Sequence, residues 1–427
     1  MKKLTQAQRE DILKVAKERP EGLEDALRQA DNPTTFDKAI ELWKAGVLSA
    51  PSTVMIQAFD VLETGSRVGE TAIASVVDKL LGGPRTRFGG EVRAEVQGFL
   101  ETGGAAQKQF HADLLDVLKA APEKIDPDRP LEFQTGKIGG KTGRIIRTPF
   151  RLLNATSKFL RTTGTSAEMY KLAFRDASRE LGPGAKPEAV RARMNELVQE
   201  ALDPNAELGA KLLAEAAKVG GKERVFEAEP GPLIDSLLKL RSENPWLHGV
   251  FPFLHVPGNI TKLIAQRSPL GFVKAAKAFA KYKRALTDKT ENVEALKGEA
   301  VDAIARPLFG TAVMATFAGA AAMGNMTGGG PVDKKARNLK LASGWQPYSF
   351  VLPGELLGEP GKKIYIPYKR IQPVGALLGF AADMVESKDL KSNSERFEKG
   401  LESAGQNLTS QTYLQGIADA MEFVSNP

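Results

Sequence analysis

Between Pro307 and Val332 the chain carries no ionisable side chain, and this gap constrains the fold more than any other feature. As a helix, Leu308 to Met326 would measure about 28 Å at ~1.5 Å per residue, close to the roughly 30 Å of a bilayer's hydrocarbon. The run is mostly alanine and glycine, with Leu308, Phe309, Val313, Met314, Phe317 and Met323 as its larger side chains. That composition is weakly hydrophobic for a lone span. It suits close helix–helix packing, because small residues let backbones approach. Two readings stand side by side: a core helix buried in a soluble domain, or a helix that packs in a bundle in water and inserts when copies gather. Arg306 precedes the run, and Lys334, Lys335 and Arg337 follow it as cations suited to headgroups.

The rest of the composition narrows the chemistry. A chain of 427 residues is long enough for two or three domains, and its net charge of +7 favours acidic partners such as nucleic acid, anionic lipid or an acidic protein surface. There is no cysteine, which excludes disulfides, thiolate catalysis and cysteine-bound zinc. The only histidines are His111, His248 and His255, so few side chains are suited to general-base work at neutral pH. His248 and His255 flank "GVFPFL" without the spacing of a helical metal pair. "TGKIGGKTG" has Thr135 where a phosphate loop needs glycine, and reads as a basic linker. No HExxH, no GxSxG and no singled-out carboxylate pair is present. The expectation is a protein that is not an enzyme and that holds no cofactor or metal. The opening "MKKLTQAQREDILKVAKE" lacks the apolar core of a signal peptide and begins as a helix with Thr5 and Gln8 spaced as a capping box, so synthesis in the cytoplasm is expected.

Helical periodicity dominates the chain. In "KPEAVRARMNELVQEALD", Pro187 suits a first helical position, and Val190, Met194, Leu197, Val198 and Ala201 recur at helix spacing. "TSAEMYKLAFRDASREL" predicts a helix start, with Thr165 and Glu168 as a capping box and Met169, Leu172 and Ala173 on one stripe. "PYSFVL" and "KKIYIPYK" flank a Gly/Pro-rich loop and favour extended structure. The expected class is mainly α: a multi-helix bundle with a small β-hairpin near residues 345–368. Pro and Gly gather near 121–149, 182–187, 229–232, 324–331 and 353–362. These breaks suggest an N-terminal helical region over 1–120, a basic Gly/Pro-containing linker over 121–150 and a central helical region over 151–305. Residues 306–427 then hold the uncharged helix, the hairpin and C-terminal helices.

Two basic stripes stand out. Lys274, Lys277, Lys281 and Arg284 share one helical face, while Phe272, Ala276, Phe279 and Ala280 occupy the other. Such a helix can lie on an anionic membrane, track phosphates, or present an ordinary solvated face to water. Lys137, Lys141, Arg144, Arg147 and Arg151 form a second set with the same ambiguity. Trp345, Tyr348, Phe350, Tyr365 and Tyr368 lie just beyond the uncharged run, where rings favour either a membrane interface or packing of a hairpin on the helices. Packing is preferred for most of them, and Trp345 is the best interface candidate.

"GWQPYSF" and "YIPYKRIQPVGALLGFAAD" together resemble a recurrent C-terminal domain of very large bacteriophage-encoded polyvalent proteins and phage internal virion proteins. The matching positions are Trp345, Pro347, Tyr348, Ser349, Tyr368, Arg370, Pro373, Gly375, Leu378, Gly379, Ala382 and Asp383. "PFLHVPGNI", "RTPFRLLNATSKFLRTTGTSAEMYKLAFRDA" and "AGVLSAPSTVMIQAFDVLETG" are similar to upstream parts of the same module, so the likeness covers most of residues 40–385 in order. The resemblance implies no catalytic residue. It implies a virion component of a tailed phage, stored inside the head and delivered with the genome to the host envelope. Its partners would be further copies of itself, other internal virion proteins, the portal, the host inner membrane after ejection, and DNA through non-specific contact. The alternatives are a structural protein at the portal or head interior that never meets lipid, and a basic nucleic-acid-binding virion protein.

Overall fold

The computed structural model describes residues 33–48, 51–121, 136–203, 205–222, 265–289, 292–331, 333–368 and 374–386, with a few isolated positions elsewhere. The helices in chain order are α1 (Thr35–Leu48), α2 (Pro51–Leu81), α3 (Glu91–Leu118), α4 (Gly140–Ile146), α5 (Thr148–Leu181), α6 (Pro187–Leu202), α7 (Glu207–Ala216), α8 (Gly271–Asp288), α9 (Val293–Ala322), α10 (Lys334–Ala342) and α11 (Val374–Glu386). Two short strands, β1 (Ser349–Pro353) and β2 (Lys363–Pro367), lie between α10 and α11. The class is mainly α with a small antiparallel hairpin, as the periodicity predicts.

Local chemistry sets several ends. Before α1, the Asp37 amide donates to Thr34 Oγ1 at 3.2 Å while the Thr34 amide donates to Asp37 Oδ2 at 2.8 Å, a reciprocal cap for two orphan donors. Proline opens α5 and α6, where a missing N–H loses nothing. Asp333 caps α10 by accepting from the Ala336 amide at 2.8 Å. In the hairpin Phe350 faces Ile366 and Val351 faces Tyr365, so aromatic and β-branched side chains meet across the ladder.

The core is organised around α5. Its Met169, Leu172 and Ala173 pack with Met194, Leu197, Val198 and Ala201 of α6, the stripe that the sequence marks out. On its other side α5 meets α3 at close range. The Ser166 hydroxyl donates to the Gly98 carbonyl at 2.9 Å, and a Cβ on Gly98 would lie 2.5 Å from the Ser166 carbonyl oxygen. A second core joins α2 to α9 through Ala74, Val77, Val301 and Ala305.

Three sequence readings are corrected. Thr165 and Glu168 do not start a helix, because α5 runs unbroken through them. The hydroxyls of Thr162 and Thr163 turn back onto the carbonyls of Lys158 and Phe159, so the polar cluster is satisfied inside the helix. The stretch 121–150 contains α4 and the start of α5. Within it Arg147 and Arg151 are buried: Arg147 pairs with Glu41 at 2.9 Å, and Arg151 donates to the carbonyls of Asp116 and Ala121. They brace helix junctions and do not form a cationic face. The boundary drawn at 305/306 falls inside α9, which continues through Pro307 with its ring packed near Gly271. The Thr5–Gln8 capping box, His248, His255, nearly all of "PFLHVPGNI", Arg370 and Pro373 lie outside the described residues.

The α3–α5 contact yields a paired test. Gly98→Ala is expected to lower stability by about 1–3 kcal/mol through overpacking. Gly103→Ala, on the same helix with no heavy atom near the new methyl, is expected to raise it by up to ~1 kcal/mol. Denaturant midpoints of the two variants check the contrast.

Candidate functional site: an uncharged helix held by a charged interior

The helix α9 has two unlike halves. Its first half carries Lys297, Asp302 and Arg306, and its second half, after Pro307, carries no charge. Among the described residues it is the helix long and apolar enough to cross a membrane by length and composition, yet only 22% of its most apolar stretch is buried.

The charged half is fastened by ion pairs that reach across the fold. Lys297 is 1% exposed and Asp78 of α2 is fully buried; their charged atoms stand 3.1 Å apart. Lys297 Nζ also donates to the Pro84 carbonyl at 2.7 Å. Asp78 further accepts from Arg85 Nε at 2.8 Å and from the Thr86 amide at 3.1 Å. Burial pushes the Asp78 carboxyl up, but the Thr86 and Lys297 hydrogen bonds outweigh it and hold the group below its ordinary value. Arg87 grips Asp302 through two nitrogens, at 2.8 and 2.5 Å. Partial burial likewise opposes ionisation of Asp302, whose side chain is 45% exposed, and the Arg87 charge and hydrogen bonds overcome it. Glu70 of α2 accepts from Arg267 at 2.5 Å and lies 3.8 Å from Arg306, whose Nη1 donates to Gln266 at 2.9 Å.

The same charged interior reaches α3 and α5. Arg175 pairs with the fully buried Glu91 at 2.7 Å. Burial works against the Arg175 charge, and the Glu91 carboxylate raises its pKa despite that. Tyr170 donates to Glu101, and burial followed by that hydrogen bond lifts its phenol to about 12. Between these helices lies a cavity of about 190 Å³ with Arg87, Arg175 and Arg306 facing Glu70, Glu91 and Asp302. Its full lining has five cationic and five carboxylate side chains, so it offers no net charge to select an ion.

The uncharged half is covered on one side. Met314 is buried with Phe380 and Ala381 of α11, and Phe317 packs there too, with its ring 6.3 Å from Phe350. Phe309 packs over Gly69 of α2, and Gly310 meets the Arg267 backbone too closely for any side chain. Val313 is half-buried, whereas Leu308 is exposed and Met323 is 72% exposed. Ala312, Ala315, Thr316, Gly319 and Ala322 continue that open stripe. Thr316 returns its hydroxyl to the Ala312 carbonyl at 2.9 Å, so it adds no open donor to the surface.

Past the helix end, the positions of the sequence motif come together as a cap. Tyr348 adopts a left-handed backbone with φ +50, unusual for a non-glycine residue. Its amide donates to the Gly328 carbonyl at 3.0 Å and its hydroxyl to Asp383 at 3.3 Å. Asp383 and Glu386 of α11 accept from the amides of Gly329 and Gly330 at 2.6 and 3.0 Å. Tyr368, fully buried, donates to the Thr327 carbonyl at 2.6 Å; burial first and the Asp383 charge second raise its pKa, so it stays a donor. Ser349 donates its amide to Thr327 Oγ1 at 2.9 Å and its hydroxyl to the Pro347 carbonyl at 3.1 Å. Trp345 lies half-buried against Gly330, with Lys340 5.4 Å from its ring. Gly375 is buried in α11. Packing, the preferred fate for these rings, holds for Tyr348 and Tyr368.

The basic residues are spread over two surfaces. Lys274, Lys277, Lys281 and Arg284 are exposed along α8, and Lys335 and Arg337 are exposed on α10 with Lys334 at its first position. Arg306 turns inward to Glu70 and Gln266 and does not reach a surface as a headgroup anchor. Among the described residues no group of three or more His, Asp or Glu is placed to hold a metal. No family model matches the chain, and neither a curated protein nor a solved structure matches it.

Sequence reasoning missed the buried ion pairs. A signal existed: Asp78 interrupts "IASVVDKLL", and Lys297 shares helical spacing with Val301 and Ala305. A charge at a core position of an apolar stripe asks for a partner.

Asp78→Ala, which strands Lys297 in the interior, is expected to cost about 3–5 kcal/mol in denaturant unfolding. Because Asp78 and Asp302 titrate below the ordinary value of 3.8 in the folded chain, their contribution is complete above that pH and lost as pH falls through the folded values. Denaturant midpoints should therefore hold down to about pH 5 and drop below about pH 4. In Asp78→Ala the acid loss should be shallower.

Proposed function

We propose that this chain is an internal virion protein of a tailed phage, stored in the head and delivered at infection, where copies assemble at the host inner membrane as part of a conduit for DNA. The observation that carries the reading is the second half of α9: an uncharged helix with an open stripe of small apolar residues on a protein that is otherwise basic. Small residues favour close packing between helices in lipid, so several copies together satisfy what one copy cannot. The likeness of the Trp345–Asp383 motif to phage internal virion proteins supports the same reading. So does the absence of cysteine, which leaves no cross-link to hinder unfolding and passage through a narrow channel. In this reading the chain acts by assembly and not by catalysis, beside other internal virion proteins and the portal.

The test is leakage from dye-loaded anionic vesicles. Ala312→Asp with Ala315→Asp places two carboxylates on the open stripe, where the fold in water tolerates them. Each carboxylate costs about 2.5–3.5 kcal/mol at a bilayer centre, so leakage should fall at least tenfold while the melting temperature stays put. In infected cells the protein should move from the head to the envelope fraction. A wild-type protein that neither leaks vesicles nor reaches the envelope would instead have a fixed structural role at the portal or head interior.

A further inference from the structure

We propose that α8 is a docking surface for anionic lipid, the face by which the folded chain meets a membrane before any helix enters it. This deepens the reading above by naming the surface that makes first contact, and it fails or stands separately from the conduit.

The argument begins with what α8 hides. Its buried stripe is Gly271, Ala275, Tyr282 and Ala285, with Ala278 and Phe279 half-buried beside it. Apolar residues also lie outside that stripe. Phe272 is 37% exposed, Val273 61% and Leu286 52%, and Ala276 and Ala280 are exposed too. This departs from the sequence reading of a two-faced helix. Its outward surface carries both the apolar residues and the cations.

At roughly 3.6 residues per turn, Val273, Ala276 and Ala280 lie opposite the buried stripe. Phe272 and Phe279 flank them on one side, and Lys277, Lys281 and Arg284 on the other. Lys283 stands 5.6 Å from the Phe279 ring, and its long stem extends the apolar side. From Gly271 to Thr287 the helix contains five cations and no acid.

Water suits the cations and not the exposed Phe and Val. An anionic bilayer suits both: headgroup phosphates draw the Lys and Arg side, and the apolar side sinks into the boundary between headgroups and acyl chains. Duplex DNA would use the cations and leave Phe272 and Val273 in water, so the exposed side chains favour lipid.

The experiment floats the full chain with phosphatidylcholine vesicles, with and without phosphatidylglycerol. Wild type should bind the anionic vesicles and hardly bind the neutral ones. Lys277→Gln, Lys281→Gln and Arg284→Gln together should weaken binding about 100-fold, at ~5-fold per cation. Phe272→Ser with Val273→Ser should weaken it roughly tenfold. Lys277, Lys281 and Arg284 are exposed, so the triple variant should melt as wild type does; Phe272 is only 37% exposed, so the serine pair is compared at a temperature where circular dichroism shows it folded. As a second readout, Val273→Cys supplies the chain's one thiol for a polarity-sensitive fluorophore, whose emission should shift blue on anionic vesicles only.

Equal binding to both vesicle types, no binding, or an unshifted fluorophore would overturn the proposal. So would a triple variant that loses duplex DNA while the Phe272→Ser/Val273→Ser variant still floats as wild type does; that result assigns the face to nucleic acid. Flotation without leakage keeps the docking surface and removes the conduit. An α8 variant that floats and leaks as wild type does keeps the conduit and removes the docking surface.

Discussion

The Lys297–Asp78 pair, shut away from water, is the contact on which the arrangement depends. Two buried charges are expensive to desolvate, and their attraction repays that only when every remaining donor and acceptor is occupied. Here the accounts are filled by the Pro84 carbonyl, the Thr86 amide and Arg85. The loop between α2 and α3 is therefore shaped by one carboxylate, and through Arg87 it reaches Asp302 on the next turn of α9. A shift of α9 along its axis would unmake several such contacts together. Apolar packing through Ala74, Val77, Val301 and Ala305 is non-directional and could tolerate a slide; the charges supply the register.

This explains how one helix combines two characters. Its first half is specified by direction and charge, its second by shape alone. Met314 and Phe317 find partners on α11, while the side bearing Ala312, Ala315 and Gly319 finds none among the described residues. Directional contacts at one end hold the helix in place while the other end leaves a smooth, neutral surface open. The membrane reading of α9 and the lipid-docking reading of α8 both begin from apolar side chains left outside, and they concern different helices.

Part of this was legible in the sequence. The α6 stripe from Val190 to Ala201 follows from helical spacing, and Pro187 marks its start. The hairpin follows from a run of aromatic and β-branched residues around a Gly/Pro-rich loop, and the uncharged helix from its composition. What failed was information that local sequence does not hold. Thr165 and Glu168 have the spacing of a helix start, but the pattern cannot say whether the preceding turn is already helical; Thr162 and Thr163 extend α5 by bonding backward. Arg147 and Arg151 look like an open basic face until Glu41 and the end of α3 meet them. The ion pairs of α9 join residues more than two hundred positions apart, such as Lys297 with Asp78 and Arg87 with Asp302. Nor does sequence alone show that Gly98 and Gly310 let another backbone come close.

The cap carries a mechanical implication. Asp383 and Glu386 hold the amides of Gly329 and Gly330, and Tyr348 joins the same knot through Asp383. The far end of α9 is thereby tied to α11, so pulling either helix away alone would leave carboxylates and amides facing nothing. The natural unit of rearrangement is a coupled pair of helices travelling with its loop and hairpin, like a door that moves only with its frame.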